Sequence, residues 1–382
     1  MVFFKKKIDL KKKIFVRSLR LYINPIKNFI FKFNLYKDIG CNEIQLNIFK
    51  IKNVIIASKS CLLAIDQKNL NWKDSWKFII EESANHCLEE SLAKEKFFLN
   101  QKIKKKISFK QPVFVVNNPA TRNNYGHFLY EVYLKILTIL FSKLPKPIFL
   151  YTNETKKSEL QHMKILKQIF GIKLKKINFD LPSQIQSDCY ILNSLRFIGG
   201  DFVKHPAEFF KNIPKILLNN NKFKKKFKKK QKRIFLISRT DTRIINNISE
   251  IKNKIPEIEI INISNTSSEK QIEVFYNAKA IIASFGASLV NLIFSQQKTQ
   301  LIYLRPKSFL QYNSGVDEYT DMAKSLNIKT HILKCDVIKD KNGKILKKIP
   351  RIDNNNNILE TPDGSYFNVN VNKLKKFVGK IK

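Results

Sequence analysis

The stretch R-I-F-L-I-S-R-T-D-T-R, Arg233 to Arg243, decides how the C-terminal half of this chain folds. Its apolar run, Ile234 to Ile237, reads as a strand buried on both faces, extending to Ser238. The polar residues straight after it read as the loop at the strand's carboxyl end. Working outward, the pattern recurs. Ile258 to Ile263 reads as a strand after a helical stretch, Ser268 to Ala278 as a helix and Ala280 to Ala283 as a strand. Phe285 to Phe294 opens with glycine and continues helically; Leu301 to Leu304 is a strand, Asp317 to Leu326 a helix and Thr330 to Leu333 a strand. Strands alternating with helices over short connections predict a parallel, doubly wound α/β sheet.

Two of the chain's arginines stand in the loop after that first strand, and arginine is scarce here. The chain carries 71 Lys and Arg against 31 Asp and Glu, a formal charge of +40. At face value that points to nucleic acid or an anionic membrane. Yet only nine of the basic residues are arginine (17, 20, 122, 196, 233, 239, 243, 305 and 351) and 62 are lysine, among abundant Ile, Asn and Phe. That is the composition of a chain encoded in A/T-rich DNA, where lysine drifts onto any solvated face. A reader of polyanions spends arginine, whose planar fork binds phosphate and bases bidentately. The net charge is therefore mostly background, nucleic acid is disfavoured as a partner, and the arginines carry the information.

Arg239 and Arg243 lie four apart at the carboxyl edge of the predicted sheet, where open α/β sheets bind ligands. Two such groups can grip a diphosphate through paired N–H donors; the plainer alternative is surface pairing with Asp241 and its neighbours. In A-S-F-G-A-S-L-V-N, Ala283 to Asn291, a strand ends, Gly286 permits a tight turn and a helix begins with small residues. Free N–H groups at a helix N-terminus suit an anionic phosphate, although an ordinary β-α turn has the same pattern.

The N-terminal half is less regular. Residues 1 to 36 mix Phe, Ile and Leu with Lys and Arg, which reads as a basic helix at the edge of the fold or as a contact for an anionic membrane surface. Short β-type runs follow at Val54 to Ser58 and Cys61 to Ile65. Pro112 to Val116 is a compact strand leading into N-N-P-A-T-R-N-N-Y-G-H, and His127 to Phe141 is a helix. Ile148 to Tyr151 and Cys189 to Leu192 are the strands of two further β/α units. His127 and Glu131, four apart, share a helix face just beyond a strand and its loop, where an acid or base could meet a substrate. For Glu131 the plainer role is a helix pair with Lys135, and for His127 a capping or packing role. The like-charged run Asn219 to Lys232 cannot bury a core and reads as a linker. The expected organisation is therefore a basic segment (1–36), an α/β domain (37–218), the linker (219–232), a second α/β domain (233–336) and a polar tail with a closing helix (337–382), with the cleft between the domains as the default ligand site.

Several classes are excluded. The five cysteines are odd in number and widely spaced, against a disulfide framework or zinc ribbon, and suit a reducing cytoplasm. Lysine triplets interrupt the apolar residues of the first 13 positions, so no signal-peptide core is expected. The longest apolar stretch, Ala280 to Phe294, falls short of the roughly 20 residues of a membrane span. No D-x-D occurs, so nothing points to a carboxylate-held Mg²⁺ or Mn²⁺.

N-Y-G-H-F-L-Y-E (124–131), then S-R-T-D-T-R-I-I-N-N (238–247), then E-K-Q-I-E-V-F-Y-N-A-K-A-I-I-A-S-F-G-A-S-L-V-N-L-I-F (269–294) stand in that order. The set resembles glycosyltransferase family 61, the family of bacterial capsular polysaccharide biosynthesis proteins and some eukaryotic O-linked sugar transferases. The resemblance runs from about residue 110 to 335, and His205-Pro206 and the closing helix near Leu374 also look like the family's layout. It implies a GT-B fold, two Rossmann-like domains facing a cleft. It also implies inverting, metal-independent sugar transfer without a cofactor, from a nucleotide-sugar to a glycan or lipid-linked acceptor of surface polysaccharide, by a cytoplasmic enzyme peripheral to the inner membrane face. Carried over residue by residue, the donor set is Ser238, Arg239, Arg243, Gln271, Gly286, Ala287 and Ser288. The catalytic pair is Glu131 with His127, and Arg122, Asn124 and Tyr125 stand on the acceptor side. The chain departs from the family's pattern where Phe285 replaces a histidine, Phe128 a tryptophan, Tyr133-Leu134-Lys135 a Leu-Pro-Arg and Tyr303 an acidic residue. The competing class is a non-catalytic nucleic-acid- or membrane-binding protein on a degenerate transferase scaffold.

Overall fold

The structure is a computed structural model of the 382-residue chain that describes residues 29–34, 45–56, 63–64, 103–116, 125–142, 144–152, 155–178, 183–192, 213–218, 233–240, 243–306, 318–346, 351–352, 358–359 and 366–381. The chain divides into two compact units, Met1–Val203 and Lys204–Lys382. Helix Ile213–Leu217, within the 37–218 range assigned to the first domain, lies in the second unit, where it packs on the 3-10 segment Ala287–Phe294. The linker itself, 219–232, lies outside the described residues.

In the second unit the apolar runs become one seven-stranded sheet. Arg233–Ser238 pairs in parallel with Ile258–Asn262 on one side and Ala278–Ser284 on the other. Gln300–Pro306 and Lys329–Val337 continue the parallel run. Numbered along the chain, these five strands stand in the order 2-1-3-4-5, so the winding reverses between the Arg233 and Ala278 strands. In open α/β sheets such a reversal is where ligands bind, because the connections leaving the two strands run to opposite sides. Alternation sends Ile234, Leu236, Ala280, Ile282, Ile302 and Leu304 into a core completed by Ile251, Leu374 and Val378 from helices Ile248–Lys254 and Val371–Gly379. The intervening residues, Ile281, Ala283 and Tyr303 among them, are also buried, with Ser268–Tyr276, Ala287–Phe294 and Glu318–Ser325 packed about the sheet.

The tail after Val337 adds a strand to the sheet and ends in helix Val371–Gly379. Tyr366–Asn368 is a strand of the main sheet, antiparallel to Lys329–Val337 and parallel to Ile244–Ile245. Phe367 is fully buried. The reason is the apolar stripe Val371, Leu374 and Val378, which is buried against the sheet and against Ile251 of helix Ile248–Lys254. Asn247 fixes the join by donating from Nδ2 to the Val369 carbonyl (2.9 Å) and accepting from the Val369 N–H at Oδ1 (2.9 Å).

The first unit holds a six-stranded sheet in the order Phe29–Asn34, Gln45–Ile51, Cys189–Leu192, Val113–Val115, Ile148–Tyr151, Lys173–Lys176. The last four run parallel, while the first two add as antiparallel strands. A four-stranded sheet, Leu63–Ala64, Val54–Ile56, Ser183–Ile185 and Lys105–Ile107, stands beside it in the same unit. Phe29–Asn34 is thus a strand, where a basic helix was one expectation, because pairing with Gln45–Ile51 gives its alternate apolar residues a ladder; residues 1 to 28 lie outside the described residues. The expected His127–Phe141 helix is present but not uniform. Tyr125–His127 is α-helical, Phe128–Tyr133 forms a π-helix, and Leu134–Phe141 is α-helical. The cause is readable in the buried pairs Phe128–Leu129, Val132–Tyr133 and Ile136–Leu137. A stripe repeating every four residues drifts by about 40° per repeat on a 3.6-residue helix, and an i→i+5 turn takes up the drift.

Candidate functional site

The carboxyl edge of the second unit's sheet gathers the candidate site. After the Ala278 strand the chain turns at Gly286 with φ 143° and ψ 174°, then tightens into the 3-10 segment Ala287–Phe294, whose first bond runs from the Leu289 N–H to the Gly286 carbonyl (2.9 Å). A β-carbon on Gly286 would stand 2.5 Å from Nη1 of Arg243 and 2.7 Å from Nη1 of Arg239. Both guanidinium groups therefore lie against one backbone position, at the switch point of the sheet. Register makes this possible: Ile237 is level with Ala283, so Arg239 follows its strand where Phe285 follows its own.

Arg243 reaches the same spot by a local bend. Its φ is 53°, left-handed and costly for a residue with a side chain. Immediately after it, Ile244 and Ile245 pair with Tyr366 and Phe367, and the Asn247 clamp follows, so the bend is held from its C-terminal side. Phe285 supplies the other constraint. Its ring lies 5.1 Å from the Arg243 guanidinium carbon and meets the Tyr319 ring edge-on at 5.1 Å and 86°. The residue that looked like a lost imidazole is a shelf for an arginine. Nothing local in the sequence signals this, since Tyr319 arrives on a later helix, Glu318–Ser325.

Two adjacent cations repel, and the opening of a helical segment adds N–H groups and a positive dipole end. An anion placed there is attracted by all three, with the guanidinium N–H groups as charge-assisted donors.

The remaining donor-side candidates differ in their placement. Ser238 is the half-buried last residue of its strand, level with Asn262. Ala287 is half-buried at the start of the 3-10 segment, and Ser288 is buried there with its carbonyl accepting from Asn291 Nδ2 (3.1 Å). Gln271 is committed elsewhere. Its Nε2 donates to the Ile263 and Thr266 carbonyls (3.2 Å each), and its Oε1 accepts from Asn291 Nδ2 (3.4 Å). It ties the Ser268–Tyr276 helix to the turn before it and to the 3-10 segment. Tyr303 is buried on the neighbouring strand, level with Ala283.

In the first unit, His127 ends the α-helical turn and Glu131 falls inside the π-helix. Arg122 and Asn124 lie outside the described residues. Tyr125 is half-buried, and its hydroxyl pairs with Nε2 of His162 at 2.8 Å. His162 is wholly buried on helix Lys157–Phe170 and meets the Tyr133 ring edge-on at 5.4 Å. Burial pushes its pKa down to about 3, so the imidazole is neutral. Sequence reasoning missed His162, which carries no motif; its role follows only from the fold, as an anchor between two helices.

The second unit is thus an α/β sheet with two arginines gathered on a glycine turn at its switch point. The family model for glycosyltransferase family 61 matches residues 86–302, more than half of the chain, and the chain belongs to that family. It is a glycosyltransferase. No curated protein matches the chain. The matched range includes Glu131, Arg239, Arg243 and Gly286, and nothing in it favours a non-catalytic nucleic-acid- or membrane-binding protein.

Proposed function

We propose that this glycosyltransferase takes its sugar from a nucleotide-activated donor, binding the diphosphate at Arg239, Arg243 and the Gly286 turn. One observation carries the reading: two of the chain's nine arginines converge on a single glycine at the point where the sheet's winding reverses. As the bond between the anomeric carbon and the phosphate oxygen breaks, negative charge builds on that oxygen. Fixed guanidinium donors and the backbone N–H groups of Gly286 and Ala287 stabilise it without reorganising. The acceptor hydroxyl attacks from the opposite face, which inverts the anomeric centre, and its proton passes to Glu131 with His127 as partner.

The same proposal covers the finer points. The two units act as the halves of a GT-B transferase, the donor half being Lys204–Lys382. The leaving group's charge is met by arginine, so transfer needs no metal. The acceptor is a glycan or lipid-linked glycan of surface polysaccharide, met by a cytoplasmic enzyme peripheral to the membrane. No helix among the described residues is long and apolar enough to cross a bilayer. A thermal-shift screen against a panel of nucleotide-sugars, with and without EDTA, tests the reading, since a ligand of the native state raises apparent stability. A selective rise with one nucleotide-sugar that survives EDTA is expected. No rise with any of them, or one abolished by EDTA and restored by metal, counts against it.

A further inference from the structure

We propose that Arg305 is a third anion-binding residue of the donor site, holding the second phosphate while Arg239 and Arg243 hold the first. The inference rests on the donor reading above and adds a residue to it. Arg305 lies beyond residues 86–302, so the family match does not assign it. It stands near the carboxyl end of the Gln300–Pro306 strand. Ser284 is level with Leu304, so Arg305 comes level with Phe285 on the adjacent strand, and Arg239 comes level with Phe285 from the other side. Strand alternation sends Leu304 into the core with Ile302, so Arg305 projects to the opposite face. Arg239 and Phe285 follow the same alternation after Leu236 and Ile282. Continued one or two residues past the ends of the Arg233 and Ala278 strands, the register brings Arg239 and Phe285 to the level of Arg305, about 4.8 Å per strand.

Two further facts separate Arg305 from an ordinary surface arginine. Its Nε is shut off from solvent and donates to no acceptor among the described residues. A desolvated charged donor with nothing to donate to is costly, and an anion beside this half-buried side chain offsets part of that cost. Next, Arg305 is in register with Lys334 on the adjacent parallel strand. Like charges on neighbouring strands of one face repel, an arrangement that an anion at the edge relieves. A monophosphate is already served by the pair at Gly286. A second phosphate in the same ligand, extending across the sheet edge from the Ala278 strand toward the Gln300 strand, needs donors one strand further on, and Arg305 is there.

The test titrates the intact chain with inorganic phosphate and inorganic pyrophosphate by calorimetry, for wild type, Arg305→Met, Arg305→Lys and Arg243→Ala. Wild type is expected to bind pyrophosphate more tightly than phosphate. Arg305→Met should lose pyrophosphate affinity by about tenfold or more, the worth of one charge-assisted contact, and leave phosphate affinity within about twofold. Arg305→Lys, a point charge without the fork, should fall between. Arg243→Ala should lose both ligands. Ligand-free Arg305→Met should melt at or above wild type, because a buried unpartnered donor is gone. Unchanged pyrophosphate affinity in Arg305→Met, equal loss of both ligands, or a lower ligand-free melting temperature overturns the assignment. If wild type binds neither probe, the donor-site reading fails as well, and that outcome is distinct from the others.

Discussion

At the residue scale the site turns on Gly286. An L side chain there meets two objections at once, a backbone at φ 143° and guanidinium nitrogens 2.5 and 2.7 Å from its β-carbon. Gly286→Ala should therefore cost about 1–3 kcal/mol of stability in urea unfolding, the usual range for a strained backbone position. It should also weaken nucleotide-diphosphate binding by pushing both arginines back. Arg239→Ala and Arg243→Ala should each lose about 1.5–3 kcal/mol of that binding while leaving the fold intact. An unchanged affinity in both variants, measured for a confirmed nucleotide ligand, defeats the assignment. Phe285 lies against Arg243, so on the donor-site proposal its effect should run through that arginine. Phe285→Leu removes the aromatic face and should cost about 0.5–2 kcal/mol of affinity, and combining it with Arg243→Ala should add little, because the shelf then has nothing to carry.

At the element scale, helix Lys157–Phe170 places two perturbed groups one turn apart. Glu159 is buried near the helix start, where its Oε2 accepts the Lys156 N–H (3.0 Å), and burial raises its pKa from 4.5 to about 7. His162 shifts the other way, from 6.5 down to about 3. Their linkage has opposite signs. Between pH 4.5 and 7 the folded chain holds a proton on Glu159 that the unfolded chain releases, so this contribution is lost as pH rises. Between pH 3 and 6.5 the unfolded chain protonates His162 and the folded chain does not, so that contribution is lost as pH falls. The two offset each other between pH 4.5 and 6.5. Glu159→Gln, which can still accept the Lys156 N–H, should expose the histidine alone. Its unfolding free energy should climb with pH through that window by up to about 1.4 kcal/mol per unit, against a flatter wild type. A flat profile in the variant sinks this account of His162.

The elements themselves were largely legible in the sequence. Apolar runs such as Ile234 to Ile237 announce buried strands, and the structure extends them by a residue or more where ladder partners continue, as at Gln300–Pro306. What could not be read depends on distant pairing. The 2-1-3-4-5 order, the entry of Tyr366–Asn368 into the sheet and the Phe285–Tyr319 contact each join segments whose local patterns are silent about one another. The π-helix over Phe128–Tyr133 was visible in principle as a four-residue apolar repeat, but a simple helical period absorbs that signal. At the site, Arg239, Arg243 and Gly286 stood out because arginine is rare and glycine marks the turn. Gln271 also stood out by motif, but a motif match cannot say that its amide is held by the Ile263 and Thr266 carbonyls.

At the scale of the whole molecule, the candidate residues fall in two units: arginines and the glycine turn in Lys204–Lys382, the acid/base candidates in Met1–Val203. A division of this kind predicts separable defects. Variants in the second unit should change donor affinity, and variants on the Tyr125–Phe141 stretch should change turnover with donor affinity intact. The net charge of +40 offers a control. Nonspecific polyanion binding falls steeply with salt whatever the base sequence, whereas donor binding should depend on the nucleotide and sugar. The sharpest test is Glu131. An acceptor hydroxyl is a poor nucleophile until a positioned base takes its proton, an effect of about 10²–10⁴-fold in rate. Glutamate is ionised at neutral pH without any shift, and His127 one turn before it is the group best suited to orient or share the proton. Glu131→Gln should thus lose nearly all turnover at wild-type donor affinity, and His127→Ala should lose less. Normal turnover in Glu131→Gln makes Glu131 a surface partner of Lys135 and places the base elsewhere.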